Sequence, residues 1–344
     1  MLPWSSPLAG RIEHHTVHSE LLRDNPLGDP HDRPVYVYLP PGYDDDPARR
    51  YPVVYVIQGY TGHVGMWFNR QAFRRPYPEL ADDVFATGDT PPAILVYVDA
   101  WTSFGGSQFL DSPATGRYHS YLCDEVVPWV DANFRTLADR AHRAISGKSS
   151  GGYGAMVTPM LRPDLFSALA THAGDALFDV CYPADFPRLA RILRDEYDGD
   201  YQNYLAGRGN RVFGTKDTDL DLIEIYGYAA AYSGNEDGTV SLPFDDTGAL
   251  VPEVWARWLK YDPVRMAAEP HHAETLRSLT AIWIDAGRAD EYYLDLGATA
   301  FRRALTQAGV ADERVHFELF DGRHGGIDYR YPLALAWLCE RITG

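Results

Sequence analysis

Apolar residues in this chain come as short dense runs, separated by turn residues and by longer stretches at helical spacing. Residues 35–39 alternate with polar neighbours, the pattern of a strand with one covered face. Residues 52–57 and 93–99 are denser in Val, Ile and Tyr, as strands covered on both faces should be. Residues 118–133 carry Leu122, Val126, Val127 and Val130 at helical spacing, with Phe134 just beyond. A short strand at 144–146 then leads into a glycine-rich corner, a helix over 150–161 and a strand over 168–172. The alternation returns near the C-terminus, with a strand at 281–286, a helix at 294–308, a strand at 315–319 and a closing helix at 331–342. Strands alternating with helices predict an α/β fold, with a mostly parallel sheet and helices on both faces. In such sheets functional groups gather at the carboxyl ends of the strands.

Residues 177–270 break this pattern. The segment is rich in Tyr, Trp and acids, and between 179 and 269 it holds 17 Asp/Glu against 9 Lys/Arg, a net of −8. It reads as an inserted cap over the sheet, leaving 1–176 and 271–344 as the core. The whole chain carries −17, which argues against nucleic acid or an anionic membrane surface as its partner, because both need a basic patch. Cys123, Cys181 and Cys339 are far apart and in no metal-ligand spacing, so they predict buried small hydrophobes and no metal site. The first 20 residues lack the basic start, apolar core and small-residue cleavage site of a signal peptide, and no apolar run approaches a bilayer-spanning length. These features predict a cytoplasmic protein.

The chemistry concentrates in Gly147-Lys148-Ser149-Ser150-Gly151, a G-x-S-x-G between a predicted strand and a predicted helix. A nucleophile elbow needs this pattern, because the turn is strained and the residues two positions away must be small. The turn lifts the serine Oγ above the sheet, beside a helix N-terminus that favours a developing anion. Ser150 is the weaker candidate, with Lys148 where a glycine is wanted. Gly147-Lys148-Ser149 also mimics the end of a phosphate-binding loop, but the first glycine of that motif would fall on His142.

A serine hydroxyl needs a base to take its proton. His324 lies just beyond the last predicted strand, where an imidazole can reach back over the sheet. Asp290, on the loop after the strand at 281–286, is the expected acid, with Asp285 inside that strand and Glu291 one residue further on. Its work would be to hold the imidazole tautomer and stabilise the imidazolium. An oxyanion hole would draw one N–H from Ser150 and one from the glycine turn at 58–62, with Tyr60 as the donor. Trp67, Phe68 and Trp101 are candidates to line an acyl or alcohol pocket, with packing as the alternative. His172, whose strand ends beside the elbow, reads as a pocket-wall or packing residue.

Several segments together resemble the putative esterase family of α/β-hydrolases, which includes enterochelin esterases, S-formylglutathione hydrolases, feruloyl esterases and mycolyltransferases. They are 35–43 (VYVYLPPGY), 51–62 (YPVVYVIQGYTG), 111–136 (DSPATGRYHSYLCDEVVPWVDANFRT), 143–156 (RAISGKSSGGYGAM) and 321–325 (DGRHG). The likeness covers most of 33–175 and 278–344. It implies an α/β-hydrolase fold with Ser149 as nucleophile, Asp290 as acid, His324 as base, and Tyr60 and Ser150 as oxyanion donors. Gln58 stands where many relatives carry His or Asp, Lys148 fills a variable elbow position, and 177–270 has no counterpart.

The expected activity is hydrolysis of a small or medium carboxylic ester through an acyl-enzyme, with neither a metal nor an organic cofactor. An acyltransferase using the same triad is the alternative, followed by a peptidase and by a non-catalytic binding protein on the same fold. The sequence sets neither the natural ester nor the oligomeric state.

Overall fold

The computed structural model describes residues 7–208, 216 and 218–343. The start of the N-terminal stretch and residues 209–215 and 217 of the insertion lie outside the described residues. Eight strands form one sheet: β1 (Arg11–His18), β2 (Asp32–Leu39), β3 (Val53–Ile57), β4 (Ile94–Val98), β5 (Arg143–Lys148), β6 (Ala168–His172), β7 (Ala281–Gly287) and β8 (Val315–Phe320). Their spatial order is β1-β2-β4-β3-β5-β6-β7-β8. The first two pairings, β1 with β2 and β2 with β4, are antiparallel, and the rest of the sheet is parallel. This is the α/β-hydrolase fold.

The central strands are apolar throughout because both their faces are covered. Val53, Tyr55 and Ile57 of β3 and Ile94, Val96 and Val98 of β4 join one core, while Val54, Val56, Leu95 and Tyr97 join a second on the opposite face. Helices α1 (Tyr77–Ala86), α2 (Val127–Asn133) and α3 (Ser150–Leu161) follow the early strands. The insertion holds α4 (Phe186–Tyr197), α5 (Tyr201–Arg208), α6 (Asp219–Ser233) and α7 (Pro252–Trp258). After it come α8 (Pro270–Ser278), α9 (Leu294–Gln307) and α10 (Tyr331–Ile342). Residues of α1 and α10 join the second core, and those of α2, α3, α9 and the insertion join the first.

The structure adds helices α1 and α8, which the sequence pattern did not mark, and departs from that pattern in two further places. Strand β1, RIEHHTVH, has no apolar alternation, because an edge strand needs only part of one face covered and Val17 alone is buried. The helical stretch at 118–133 is interrupted by a wide turn over Tyr121–Val126, where the Val127 N–H bonds back to the Leu122 carbonyl. Pro128, with no N–H to donate, sits in the first turn of the helix that follows.

The insertion is tied down at its root by one carboxylate. Asp262 accepts from the backbone N–H groups of Leu177 and Phe178, each at 3.1 Å, and from that of Val264 at 3.0 Å. Both ends of the excursion are thereby held together. Its own aromatics, Phe186, Tyr204, Trp255 and Trp258, are continuous with the core beneath the sheet's first face.

Candidate active site

Strand β5 ends at Lys148 and α3 begins at Ser150, so Ser149 makes the whole turn. Its backbone sits at φ 59°, ψ −128°, a conformation costly for any residue with a Cβ. Neighbouring glycines make the turn possible. A Cβ at Gly147 would lie 2.3 Å from the Gly151 carbonyl oxygen, and one at Gly151 would lie 2.5 Å from that of Ile57. The Ser149 N–H donates to the His172 carbonyl at 2.9 Å, which anchors the turn to β6.

The loop after β8 brings His324 over this turn, with Nε2 3.1 Å from Ser149 Oγ. On the other side of the ring, Nδ1 lies 2.9 Å from Asp290 Oδ2. An ionised carboxylate only accepts, so Nδ1 carries the proton and Nε2 offers its lone pair to the Ser149 O–H. Asp290 is 5% exposed, and its other oxygen accepts the Tyr292 N–H at 2.9 Å, so the carboxylate cannot swing away. Glu291 takes a different position: it accepts the backbone N–H of His324 at 3.0 Å and fixes the loop, not the ring. The Tyr292 ring packs edge-on against the imidazole at 4.9 Å.

Asp285 is occupied elsewhere. It meets His172 Nδ1 at 2.7 Å, the Trp283 indole N–H at 2.8 Å and Arg330 Nε at 3.0 Å, all out of solvent. Burial alone pushes its carboxyl up, but His172, Trp283 and Arg330 outweigh that, and the net displacement is downward.

Tyr60 and Ser150, the expected oxyanion donors, flank the elbow in the chain segments that meet there: Tyr60 lines the same cavity as Ser149, and Ser150 follows Ser149 directly. A Cβ at Gly59 would lie 2.9 Å from the Lys148 carbonyl oxygen and 3.3 Å from Ser149 Cβ, so the 58–60 turn rests directly on the elbow. Ser150 opens α3, and its N–H has no partner within that helix. No acceptor among the described residues takes the backbone N–H of Tyr60 or of Ser150.

A cavity of about 200 Å³ opens onto Ser149 and His324. The core supplies Tyr60, Trp67, Lys148 and Tyr292 to its wall, and the insertion supplies Tyr182, Asp185, Glu224 and Tyr228. Asp175 also lines it, with Oδ2 accepting from Tyr182 Oη at 3.1 Å and Gln108 Nε2 at 3.2 Å. Burial raises the Asp175 carboxyl, and it raises the Glu224 carboxyl to about 7. Burial likewise pulls the Lys148 ammonium down to about 8, against the pull of Asp290 and Asp175.

Of the residues expected to bind substrate, Trp67 reaches the cavity, but Phe68, Trp101 and His172 do not line it. Phe68 packs against the same cluster as Trp67 but away from the cavity, edge-on to Tyr36 and Tyr97. Trp101 presents its carbonyl to the Arg33 guanidinium. His172 is fully buried between Asp285 and the Tyr331 ring, below the elbow. Conversely, Asp175, Tyr182, Glu224 and Tyr228 carried no sequence signal. Tyr228 lies in a helix whose residues 222–233 are buried almost without a break, so periodicity marks no functional face.

The profile of the putative esterase family matches residues 30–331. The chain belongs to that family. Among curated proteins, an endo-1,4-beta-xylanase/feruloyl esterase of Xylanibacter ruminicola is 29% identical over 133 residues, 38% of this chain and 18% of that protein. An esterase of Mycobacterium tuberculosis is 31% identical over 146 residues, 41% of this chain and 29% of that protein. The chain thus spans less than a third of these relatives. Among solved structures, a ferulic acid esterase superposes with a TM-score of 0.61 at 20% identity, covering 97% of this chain and 98% of the other. An S-formylglutathione hydrolase from Agrobacterium tumefaciens gives a TM-score of 0.59 at 18% identity, covering 98% of each. At these identities the likeness shows the shared fold. Among the described residues no helix is long and apolar enough to cross a membrane.

Proposed function

We propose that this protein is a serine carboxylic-ester hydrolase, and that Ser149, His324 and Asp290 are its catalytic triad. The observation that carries the reading is the imidazole of His324, which faces Ser149 Oγ with one nitrogen and a buried carboxylate with the other. Membership of the putative esterase family supports the same reaction class.

In this reading His324 Nε2 takes the Ser149 proton as Oγ attacks the ester carbonyl, and Asp290 stabilises the resulting imidazolium without being protonated. The N–H groups of Tyr60 and Ser150 receive the oxyanion, each worth on the order of 3–4 kcal/mol in the transition state. The tetrahedral intermediate collapses, the alcohol leaves with the proton from His324, and the acyl group stays on Ser149. Water then repeats the sequence, with His324 again as base. The strained elbow, already set by Gly147 and Gly151, keeps Oγ aimed without reorganisation during the reaction.

A cavity of about 200 Å³ lies below the usual range of ligand sites, which favours small or medium esters. Its tyrosine-lined wall and the likeness to a ferulic acid esterase make an aromatic acyl group the first natural-type substrate to try. The test is hydrolysis of p-nitrophenyl esters from acetate to octanoate, with methyl ferulate beside them, comparing wild type with Ser149→Ala. Turnover that disappears in the variant supports the reading. Equal turnover by a folded Ser149→Ala protein would remove it.

A further inference from the structure

Helix α6 of the insertion touches both segments that carry the assigned oxyanion donors. The Tyr228 ring packs on the Tyr60 ring, with centroids 5.1 Å apart at 59°. Its hydroxyl donates to Glu224 Oε1 at 2.8 Å and lies 3.5 Å from Ser150 Oγ. The preceding residue brings the helix backbone to the same place: a Cβ at Gly227 would lie 2.7 Å from the Phe104 carbonyl oxygen and 3.1 Å from the Tyr60 hydroxyl. Tyr60 Oη donates to that Phe104 carbonyl at 2.5 Å, and a Cβ at Gly105 would lie 2.6 Å from Tyr60 Cζ. The Tyr60 ring is therefore held between the 104–106 loop and α6.

This clamp answers a mechanical need. The turn bearing the Tyr60 N–H is bounded by Gly59 and Gly62, residues with wide backbone freedom. An oxyanion donor works only if it is fixed before charge develops. The main chain closes this turn, with the Gly62 N–H on the Gly59 carbonyl and the Thr61 N–H on the Gly105 carbonyl, each at 3.0 Å, and the Tyr60 side chain adds the anchor that sets the peptide against α6.

We propose that Tyr228 is a positioning residue for the oxyanion hole, and that the insertion thereby belongs to the catalytic apparatus as well as to the pocket wall. The proposal rests on the assignment of Tyr60 and Ser150 as donors. The ring carries the effect: at 3.5 Å the hydroxyl contact with Ser150 is weak, whereas the ring itself packs against Tyr60 in a tilted arrangement.

Kinetics of Tyr228→Phe, Tyr228→Ala and Gly227→Ala on p-nitrophenyl butyrate test this, with folding followed by near-ultraviolet circular dichroism. A trifluoromethyl ketone supplies the second readout. Ser149 Oγ bonds to its carbonyl carbon, the serine proton passes to His324, and the carbonyl oxygen becomes an alkoxide in the oxyanion hole. Tyr228→Ala should lower kcat about 100-fold with KM within about twofold, and should weaken the ketone by the same factor. Tyr228→Phe should stay within about threefold of wild type, because the ring remains. If Tyr228→Ala does not fold, Gly227→Ala carries the test, with the same expected loss in kcat and ketone affinity. A rise in KM with kcat and ketone affinity unchanged would make Tyr228 a pocket wall only and overturn the proposal, as would a Tyr228→Phe loss as deep as that of Tyr228→Ala. The underlying reading is separable: a fully active Ser149→Ala protein defeats the site itself. An inactive Ser149→Ala beside unaffected Tyr228→Ala and Gly227→Ala proteins defeats the positioning role alone.

Discussion

Three carboxylates near the end of β7 do three different jobs, and their neighbours decide which. Asp290 faces the His324 ring, Glu291 holds the His324 backbone, and Asp285 is locked with His172 and Arg330 below the sheet's end. Asp290→Asn keeps the volume but lets the amide donate towards Nδ1, which favours the tautomer with its proton on Nε2, the wrong one for a base. The expected result is a kcat lower by roughly 10³–10⁴-fold, with unchanged circular dichroism and little change in KM. A loss below tenfold in steady-state ester hydrolysis would move the acid's role to another residue. Ser149, His324 and Asp290 were legible in the sequence because chain order and local context constrain them: a glycine-flanked turn, then an acid and a histidine after successive strands. The pocket was less legible. Phe68 and Trp101 follow strand ends just as Trp67 does, and nothing in their spacing tells which side of the wall each ring will take. Tyr228 was invisible for the opposite reason, since it reaches the site from a segment with no repeating pattern.

At the scale of elements, most strands of the core and helices α3, α9 and α10 could be read to within a few residues, because burial on both faces leaves dense apolar runs and a glycine corner marks β5 to α3, whereas α1 and α8 were not marked. Strand β1 escaped, since its pairing with β2 is made by backbone groups over a mostly polar sequence. Helix α6 carries a half-buried carboxylate, Glu224, among its buried apolar residues. Burial, reinforced by Asp175, Asp185 and Asp221, raises Glu224 to about 7, although its hydrogen bond from Tyr228 opposes the shift. The sign follows from proton counting. Between the ordinary glutamate range near 4.3 and about 7, the folded chain holds a proton that the unfolded chain has released, so stability falls as pH rises through that window. Glu224→Gln removes this dependence while leaving an acceptor for the Tyr228 hydroxyl. Thermal melts at pH 5 and pH 8 should show the wild-type Tm falling by a few degrees more than that of the variant. Equal pH dependence in the two proteins would place the Glu224 carboxyl in water.

For the molecule as a whole, the central question is whether the insertion is a separable cap. The sequence suggested a boundary at 177 and 270, where composition shifts and charge accumulates. Composition reports what a segment is made of, however, and not what it packs against. Phe186, Leu189, Leu222, Trp255 and Trp258 share one continuous core with Tyr153 and Met156 of α3 and Phe301 of α9. Asp262 bonds backbone amides at both ends of the segment. Removing the segment would uncover that shared core, at a cost of about 25 cal/mol for each Å² of apolar surface exposed. We therefore expect residues 177–270 to unfold together with the sheet. Differential scanning calorimetry of the full chain should give one transition, with calorimetric and van't Hoff enthalpies in agreement. Two resolved transitions, or a protease that removes the insertion and leaves a folded sheet, would restore the cap as an independent unit. A single transition would also have a catalytic meaning, because the helix that presses on Tyr60 could not open without loosening the fold that holds Ser149.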